Sequence, residues 1–164
     1  MDSFSKDKRS RIMAAIHGRD TQPELLVRRY LFAQGFRYRL NSPRLPGHPD
    51  LVMRKYRTAI FVNGCFWHGH RVQWTMEDSA CCKIPKTNRA FWENKIRRNH
   101  ERDRKNYRIL HENGWQVIVV WECQLKTNVL EQTMLRVEQQ LLDYYVATLS
   151  PKRLRYAPPA DTPL

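Results

Sequence analysis

The chain has 164 residues, of which 41% are hydrophobic and 27% are charged. A chain of this length hides roughly 70% of its unfolded surface, so its core needs neither disulfides nor a metal. Its composition excludes wholesale disorder. The 29 Lys and Arg residues against 16 Asp and Glu residues give a net charge of +13. This excess favours a nucleic-acid partner over a basic surface that is merely soluble or that rests on anionic lipid.

The sequence predicts a cytoplasmic protein without a membrane span. Its longest apolar run, residues 117–121, is far shorter than the ~20 residues that cross a bilayer. The first eight residues lack the apolar core of a secretory signal, so we expect a reducing compartment and four cysteines that form no disulfides.

The chain divides into three predicted parts. Residues 1–18 form a flexible basic arm, residues 19–149 form a single domain, and residues 150–164 form a disordered tail that contains prolines. Within the domain, hydrophobic periodicity predicts the order α-β-β-β-α-β-α. The fold class is therefore α/β, with a mixed central sheet flanked by helices.

The first helix has clear end signals. Thr21 and Glu24 form a capping box, which predicts a helix over residues 22–34 that ends at Gly35. The predicted apolar face of this helix consists of Leu25, Leu26, Tyr30 and Phe32.

The other elements follow from periodicity. The predicted strands are residues 36–40, 50–53, 58–62 and 115–122, and the further helices are residues 88–112 and 128–149. The last strand has a continuous apolar centre, so we expect it in the middle of the sheet. Residues 63–88 show no periodicity and hold three of the four cysteines, which indicates a loop that binds something.

The cysteines indicate a metal site. Soft thiolates and one imidazole suit a tetrahedral structural Zn²⁺. The candidate ligands are Cys65, His70, Cys82 or Cys81, and Cys123. Free cysteines are otherwise simply small buried residues. We favour zinc, because a metal would supply order to a coil rich in His, Gly and charge.

Asp50 opens the second strand after a loop with prolines and a glycine. Pairing Met53 with Thr58 in a hairpin sets Asp50 beside the Val62 carbonyl. Two hard oxygens there could hold the Mg²⁺ that phosphodiester cleavage needs, although an acidic residue in such a place is usually a turn or cap residue. Glu24 could join through water, although its capping role alone explains its presence.

The long helix offers a third candidate. One stripe, at spacings of three and four residues, contains Trp92, Ile96, Asn99, Asp103, Tyr107 and Leu110. Asp103 therefore points inward and needs a partner, either a structural Arg or Lys, or a histidine that it orients for general-base work. His68 is the candidate histidine. A satisfied or zinc-bound His68 is the alternative.

Two aromatic pairs, Phe66-Trp67 and Phe91-Trp92, flank the cysteine-rich segment. Aromatic pairs are normally core residues. In a protein of this charge, however, exposed aromatics can enter DNA base steps and unstack them.

Several separated motifs together resemble the very short patch repair (Vsr) DNA mismatch endonucleases. They are Pro49-Asp50, residues 61–70 (FVNGCFWHGH), Phe91-Trp92, residues 99–103 (NHERD) and residues 119–123 (VVWEC). The resemblance implies a restriction-endonuclease-like core with a structural Zn²⁺ and a catalytic Mg²⁺. It implies a monomeric enzyme of the bacterial cytoplasm and nucleoid that nicks one DNA strand 5′ of the thymine in a T:G mismatch. Such mismatches arise when 5-methylcytosine deaminates, so a functional link to a cytosine-5 DNA methyltransferase is also implied.

The resemblance implies a role for each candidate residue. Asp50 matches the Mg²⁺-binding carboxylate beside the Val62 carbonyl, and Glu24 matches the carboxylate that supports metal-bound water. His68 matches the general base, and Asp103 matches the residue that orients it. The implied zinc ligands are Cys65, His70, Cys82 or Cys81, and Cys123, and the implied aromatics inserted beside the mismatch are Phe66, Trp67 and Trp92.

Two positions depart from the family pattern. Val72 stands where a cysteine would follow His70, so the fourth zinc ligand is Cys82, which we prefer, or Cys81. Asn63 stands where some members have a histidine, which leaves a second imidazole role there open.

Two other functions are compatible with the sequence. One is a restriction-type endonuclease without mismatch specificity. The other is a zinc-containing DNA-binding module without catalysis.

Overall fold

The computed structural model describes residues 8, 11, 19–70 and 81–149. From residue 19 to residue 149 its elements follow the predicted order. The helices are α1 (Gln22–Ala33), α2 (Arg89–Glu112) and α3 (Leu130–Thr148), and the strands are β1 (Arg39–Leu40), β2 (Leu51–Met53), β3 (Thr58–Asn63) and β4 (Gln116–Trp121). None of the described helices is long and apolar enough to span a membrane. The expected arm and tail concern residues that lie almost wholly outside this range.

The four strands form one mixed sheet in the order β1-β2-β3-β4. β2 is antiparallel to both β1 and β3, and β3 is parallel to β4. Met53 pairs with Thr58, as the hairpin prediction required. The predicted α/β architecture, a mixed sheet flanked by helices, is therefore confirmed.

The sheet lies between two helical layers. The main core, on one face, combines α1, α3 and the strands, and includes Leu31, Leu51, Ile60, Met134 and Leu141. A smaller cluster on the other face includes Ala59 and Phe61 of β3 and Leu110 of α2. α2 therefore packs on the same sheet whose β2–β3 pairing positions Asp50.

The prediction that β4 is central is wrong, because β4 pairs only with β3 in the described part of the chain. Both of its faces are nevertheless covered. Val117 packs against the cluster of α2, whereas Ile118 and Val120 belong to the main core. A strand between two helical layers needs apolar residues on both faces even when one of its edges has no neighbouring strand.

The predicted apolar face of α1 is also wrong. Its buried residues are Glu24, Val27, Arg28 and Leu31, whereas Leu26 and Phe32 are exposed and Leu25 and Tyr30 are half-buried. The buried set follows the spacing of a helical stripe. Its two charged members enter the interior because they neutralise each other, with the Arg28 guanidinium donating to the Glu24 carboxylate at 2.7 Å.

Gly47 brings the loop before β2 close to α2. It has a φ of +77°, and a Cβ at this position would lie 3.1 Å from the Asn106 side chain and 3.1 Å from the Phe61 ring. Gly35 has a φ of +84°, but nothing lies within 4 Å of its Cβ position. A side chain at Gly35 would therefore add backbone strain alone, whereas a side chain at Gly47 would add both strain and steric crowding.

We expect Gly47→Ala to lower the free energy of unfolding by about 1–2 kcal/mol more than Gly35→Ala does, because only the first adds crowding to the strain of a positive φ. Urea denaturation of both variants measures the difference. Equal losses would show that the loop moves away from α2 at no cost.

Candidate active site and metal-binding cluster

Five residues that the sequence singled out for metal binding or proton transfer line one cavity of about 990 Å³. They are Glu24, Asp50, Val62, His68 and Asp103. They come from α1, the residue before β2, the end of β3, the turn after β3, and α2. The fold thus brings together groups that lie far apart in the sequence.

Asp50 is held at the mouth of the hairpin. Its carboxylate accepts a hydrogen bond of 2.7 Å from the Val62 amide. Burial, together with the nearby charge of Glu24, raises the pKa of Asp50 to about 6, although the Val62 hydrogen bond acts in the opposite direction. A cation beside the carboxylate would relieve this cost. Hard oxygens that gain from an added positive charge fit Mg²⁺.

Glu24 is 4% exposed and is bound by several donors. Its carboxylate accepts from the Thr21 hydroxyl at 2.9 Å and from the Asp20 amide at 3.1 Å, in addition to Arg28. The predicted cap is present, because the Thr21 hydroxyl oxygen accepts from the Glu24 amide at 3.4 Å, but the Glu24 carboxylate returns to the Asp20 amide instead of the Thr21 amide. Sequence reasoning missed Arg28, although the spacing of four residues between Glu24 and Arg28 was a signal for an ion pair on a helix.

His68 and Asp103 are in direct contact. The His68 Nδ1 atom lies 2.5 Å from the Asp103 Oδ2 atom, and both side chains are largely buried. The nearest Arg contact of Asp103 is longer, at 3.7 Å from Arg102. A carboxylate at Nδ1 fixes the proton there and leaves Nε2 as the basic nitrogen. The pair therefore has the chemistry of an oriented general base.

Asn63 belongs to a neutral pair. It is 4% exposed, and its side-chain amide donates to the Tyr107 hydroxyl at 2.9 Å. Burial raises the pKa of Tyr107 to about 12, so the phenol stays protonated. The position therefore contributes a fixed polar group and no second imidazole.

The predicted aromatic residues form one cluster, of which Trp67 lines the cavity. The ring centroids of Phe66 lie 5.2 Å from those of Trp67 and 5.3 Å from those of Trp92. The Lys95 ammonium lies over Trp67 at 5.2 Å and over Trp92 at 5.3 Å. Phe91 extends the cluster and is 58% exposed. The cluster thus combines stacking surfaces with a positive charge.

A second constellation can hold a metal ion. The potential ligand atoms of Cys65, His70, Cys81 and Cys123 all lie within 4.8 Å of one another. The three sulfurs are 3.3 to 3.6 Å from the His70 Nδ1 atom. A tetrahedral site with ordinary Zn–S and Zn–N bonds separates sulfur and nitrogen by about 3.6 Å, so the spacing fits such an ion.

The fourth member of this group is Cys81 and not the preferred Cys82. The Cys82 thiol faces the backbone carbonyls of Cys65 and His70, at 3.5 and 3.3 Å. The Cys81 thiol also contacts the His70 carbonyl, at 3.0 Å, but its sulfur lies 3.3 Å from the His70 Nδ1 atom as well, which places it in the cluster. Val72, where the family pattern would place a cysteine, lies outside the described residues.

His70 is itself oriented by Trp121 at the end of β4. The two rings are stacked, with centroids 4.2 Å apart and an angle of 8° between their planes.

Burial raises the pKa of the Cys65 and Cys81 thiols. A bound cation would favour their thiolate forms.

We expect Cys81→Ser to lose most of one bound metal ion per chain, whereas Cys82→Ser keeps it, because only Cys81 faces the cluster. Elemental analysis of the purified variants measures the ratio of metal to protein, and the neighbouring position is a matched control. Loss of the metal in Cys82→Ser alone would contradict this assignment.

Comparisons with known proteins identify relatives of this chain. The family model described as DNA mismatch endonuclease Vsr matches residues 1–74. The type II nicking enzyme V.NmeAIP of Neisseria meningitidis is 50% identical over 131 residues, which are 79% of this chain and 87% of that protein. DNA mismatch endonuclease Vsr of Escherichia coli K12 is 42% identical over 125 residues, which are 76% of each chain.

Solved structures are also similar to this chain. The catalytic domain of the homing endonuclease I-Bth0305I has a TM-score of 0.47 and 20% identity, and the match covers 80% of this chain and 100% of that domain. The sequence relatives identify the family: this chain belongs to the Vsr DNA mismatch endonucleases.

Proposed function

We propose that this Vsr-type DNA endonuclease nicks one strand of a duplex 5′ of the thymine in a T:G mismatch, in a reaction that requires Mg²⁺. One observation carries the proposal. The contact between His68 and Asp103 lies in the same cavity as Asp50. An oriented base and a metal-binding carboxylate in one cavity are the groups that phosphodiester hydrolysis needs.

Asp50 and the Val62 carbonyl would hold the Mg²⁺. Within a β-ladder, the N–H and C=O groups of a residue point to the same neighbour. The Val62 N–H points to Asp50, so its carbonyl belongs to the same side of β3. When bound, Mg²⁺ would supply positive charge to the phosphate as negative charge builds up there.

His68 would accept the proton of the attacking water at Nε2. Asp103 would orient the ring and stabilise the charge that the imidazole gains. Glu24 would hold water at the metal instead of binding the ion directly, because three protein donors already hold its carboxylate in place.

The aromatic cluster supports mismatch recognition. Phe66, Trp67 and Trp92 would enter the base step beside the mismatch, where weakened pairing lowers the cost of unstacking. Arg19, Lys95 and Arg102 line the cavity and would contact phosphates. A net charge of +13 supports binding to the DNA backbone.

A structural Zn²⁺ at the Cys/His cluster would brace this cleft. Cys65 and His70 bracket the segment that carries Phe66, Trp67 and His68. Binding both ends of the segment to one ion would fix the aromatic wedge and the base relative to β4.

The cellular setting follows from the substrate. T:G mismatches form where 5-methylcytosine deaminates, so the enzyme would act beside a cytosine-5 DNA methyltransferase. It would work as a monomer in the cytoplasm, associated with the nucleoid when bound to DNA.

Strand-specific product mapping tests the substrate. The protein is incubated with Mg²⁺ and end-labelled duplexes that carry T:G, T:A or C:G at one position in several methylation-site contexts. We expect a nick only in the thymine strand of T:G. Equal cutting of the matched duplexes would favour a restriction-type endonuclease. Binding without cutting, in wild type and Asp50→Ala alike, would favour the DNA-binding module.

We expect Asp103→Asn to slow single-turnover nicking by about 10² or more, because general-base catalysis contributes about 10²–10⁴ and depends on the orientation of His68. Glu101→Gln, on the exposed face of the same helix, should remain within about twofold of wild type. DNA binding should change little in either variant. Similar rates for both variants would exclude a role for Asp103 in the reaction.

A further inference from the structure

Arg28 is a buried cation behind the cavity wall. It is 6% exposed, and its guanidinium contacts two carboxylates, those of Asp20 and Glu24. Glu24 in turn lines the same cavity as Asp50. The guanidinium thus places a permanent positive charge directly behind one carboxylate of the candidate metal site, that of Glu24.

The contacts of Glu24 limit what that carboxylate can do. Its Oε1 atom accepts from the Thr21 hydroxyl at 2.9 Å. Its Oε2 atom accepts from Arg28 at 2.7 Å and from the Asp20 amide at 3.1 Å. Three donors thus occupy three of the roughly four lone-pair positions of the carboxylate, and turning it toward a metal would break the buried ion pair with Arg28.

Arg28 is itself held in place. The Tyr38 hydroxyl donates to the Arg28 carbonyl at 2.8 Å, and the Asp20 carboxylate contacts the Nη1 side of the guanidinium while Glu24 contacts Nη2. A planar fork can bridge two carboxylates in this way, whereas a lysine ammonium is a single point charge.

We propose that Arg28 is a positioning residue with two separable effects. Its fork geometry keeps Glu24 outside direct contact with the metal, where Glu24 orients water. Its charge weakens divalent-metal binding at Asp50. This inference rests on the proposed Mg²⁺-dependent reaction and deepens it.

Three variants separate charge from geometry. Arg28→Met removes both the charge and the fork, and Arg28→Lys keeps the charge and loses the fork. Arg29→Met is the matched control, because Arg29 is the next residue of α1 and is exposed. Circular dichroism and thermal melting of the full-length chain establish that each variant folds.

Two readouts are needed. Mn²⁺ prefers the same oxygen ligands as Mg²⁺ and is detected by EPR, so it reports metal affinity without catalysis. The site is defined as the Mn²⁺ binding that Asp50→Asn removes. Single-turnover nicking of a T:G duplex at saturating Mg²⁺ reports the chemical step.

We expect Arg28→Met to bind Mn²⁺ about tenfold more tightly than wild type, because one unit of opposing charge is lost beside the site. Arg28→Lys should bind Mn²⁺ within about threefold of wild type. Both variants should nick about tenfold or more slowly, because neither holds Glu24 in the fork. Arg29→Met should match wild type in both readouts.

The outcomes distinguish a failure of this inference from a failure of the proposed function. If wild type binds Mn²⁺ and nicks but Arg28→Met has unchanged or weaker Mn²⁺ affinity, Arg28 is only structural and the inference fails alone. A wild type without Asp50-dependent metal binding or nicking would overturn the proposed function as well. If Arg28→Met does not fold, Arg28→Lys decides: slow nicking with unchanged Mn²⁺ affinity supports the inference, and a wild-type rate overturns it.

Discussion

The register of β3 against its two neighbours decides where the candidate catalytic and metal-binding groups lie. Antiparallel pairing of Met53 with Thr58 carries Asp50 to the Val62 amide, 2.7 Å away. Parallel pairing sets Asn63 beside Trp121. The ladder ends there, two residues before Cys65 and Cys123, whose sulfurs belong to the same metal-binding cluster. A shift of one residue in either pairing would turn alternate side chains to the opposite face and separate both sites.

The two sites are coupled through the short segment that follows β3. Cys65 and His70 belong to the metal-binding cluster, and the residues between them supply part of the aromatic cluster and His68. α2 completes this arrangement, because its inward stripe supplies both Trp92 and Asp103. The segment is held at the metal-binding cluster on one side and at α2 on the other. These contacts therefore determine where His68 lies relative to Asp50. Rigid placement of this kind is what catalysis by positioning requires.

Much of the fold could be predicted from the sequence, because α2 and the hairpin carry local signals. The stripe that contains Asp103 and the pairing of Met53 with Thr58 both depend on spacing alone. The errors have physical causes. Glu24 and Arg28 lie on the buried face of α1 because they form an ion pair. A prediction from hydrophobicity alone misses two charged residues on such a face. β4 is apolar because helices cover both of its faces, and not because a strand lies on each side of it. The sequence could not decide between Cys81 and Cys82, because their segment has no periodicity from which the direction of each side chain could be predicted.

We propose that one cavity brings the scissile phosphate to both Asp50 and His68. The most direct test is a crystal structure of the protein with a T:G duplex and Ca²⁺ in place of Mg²⁺. We predict Ca²⁺ on the Asp50 carboxylate and the Val62 carbonyl, with the phosphate 5′ of the mismatched thymine beside the His68 Nε2 atom. A phosphate bound elsewhere on the surface, with this cavity free of DNA, would contradict the account.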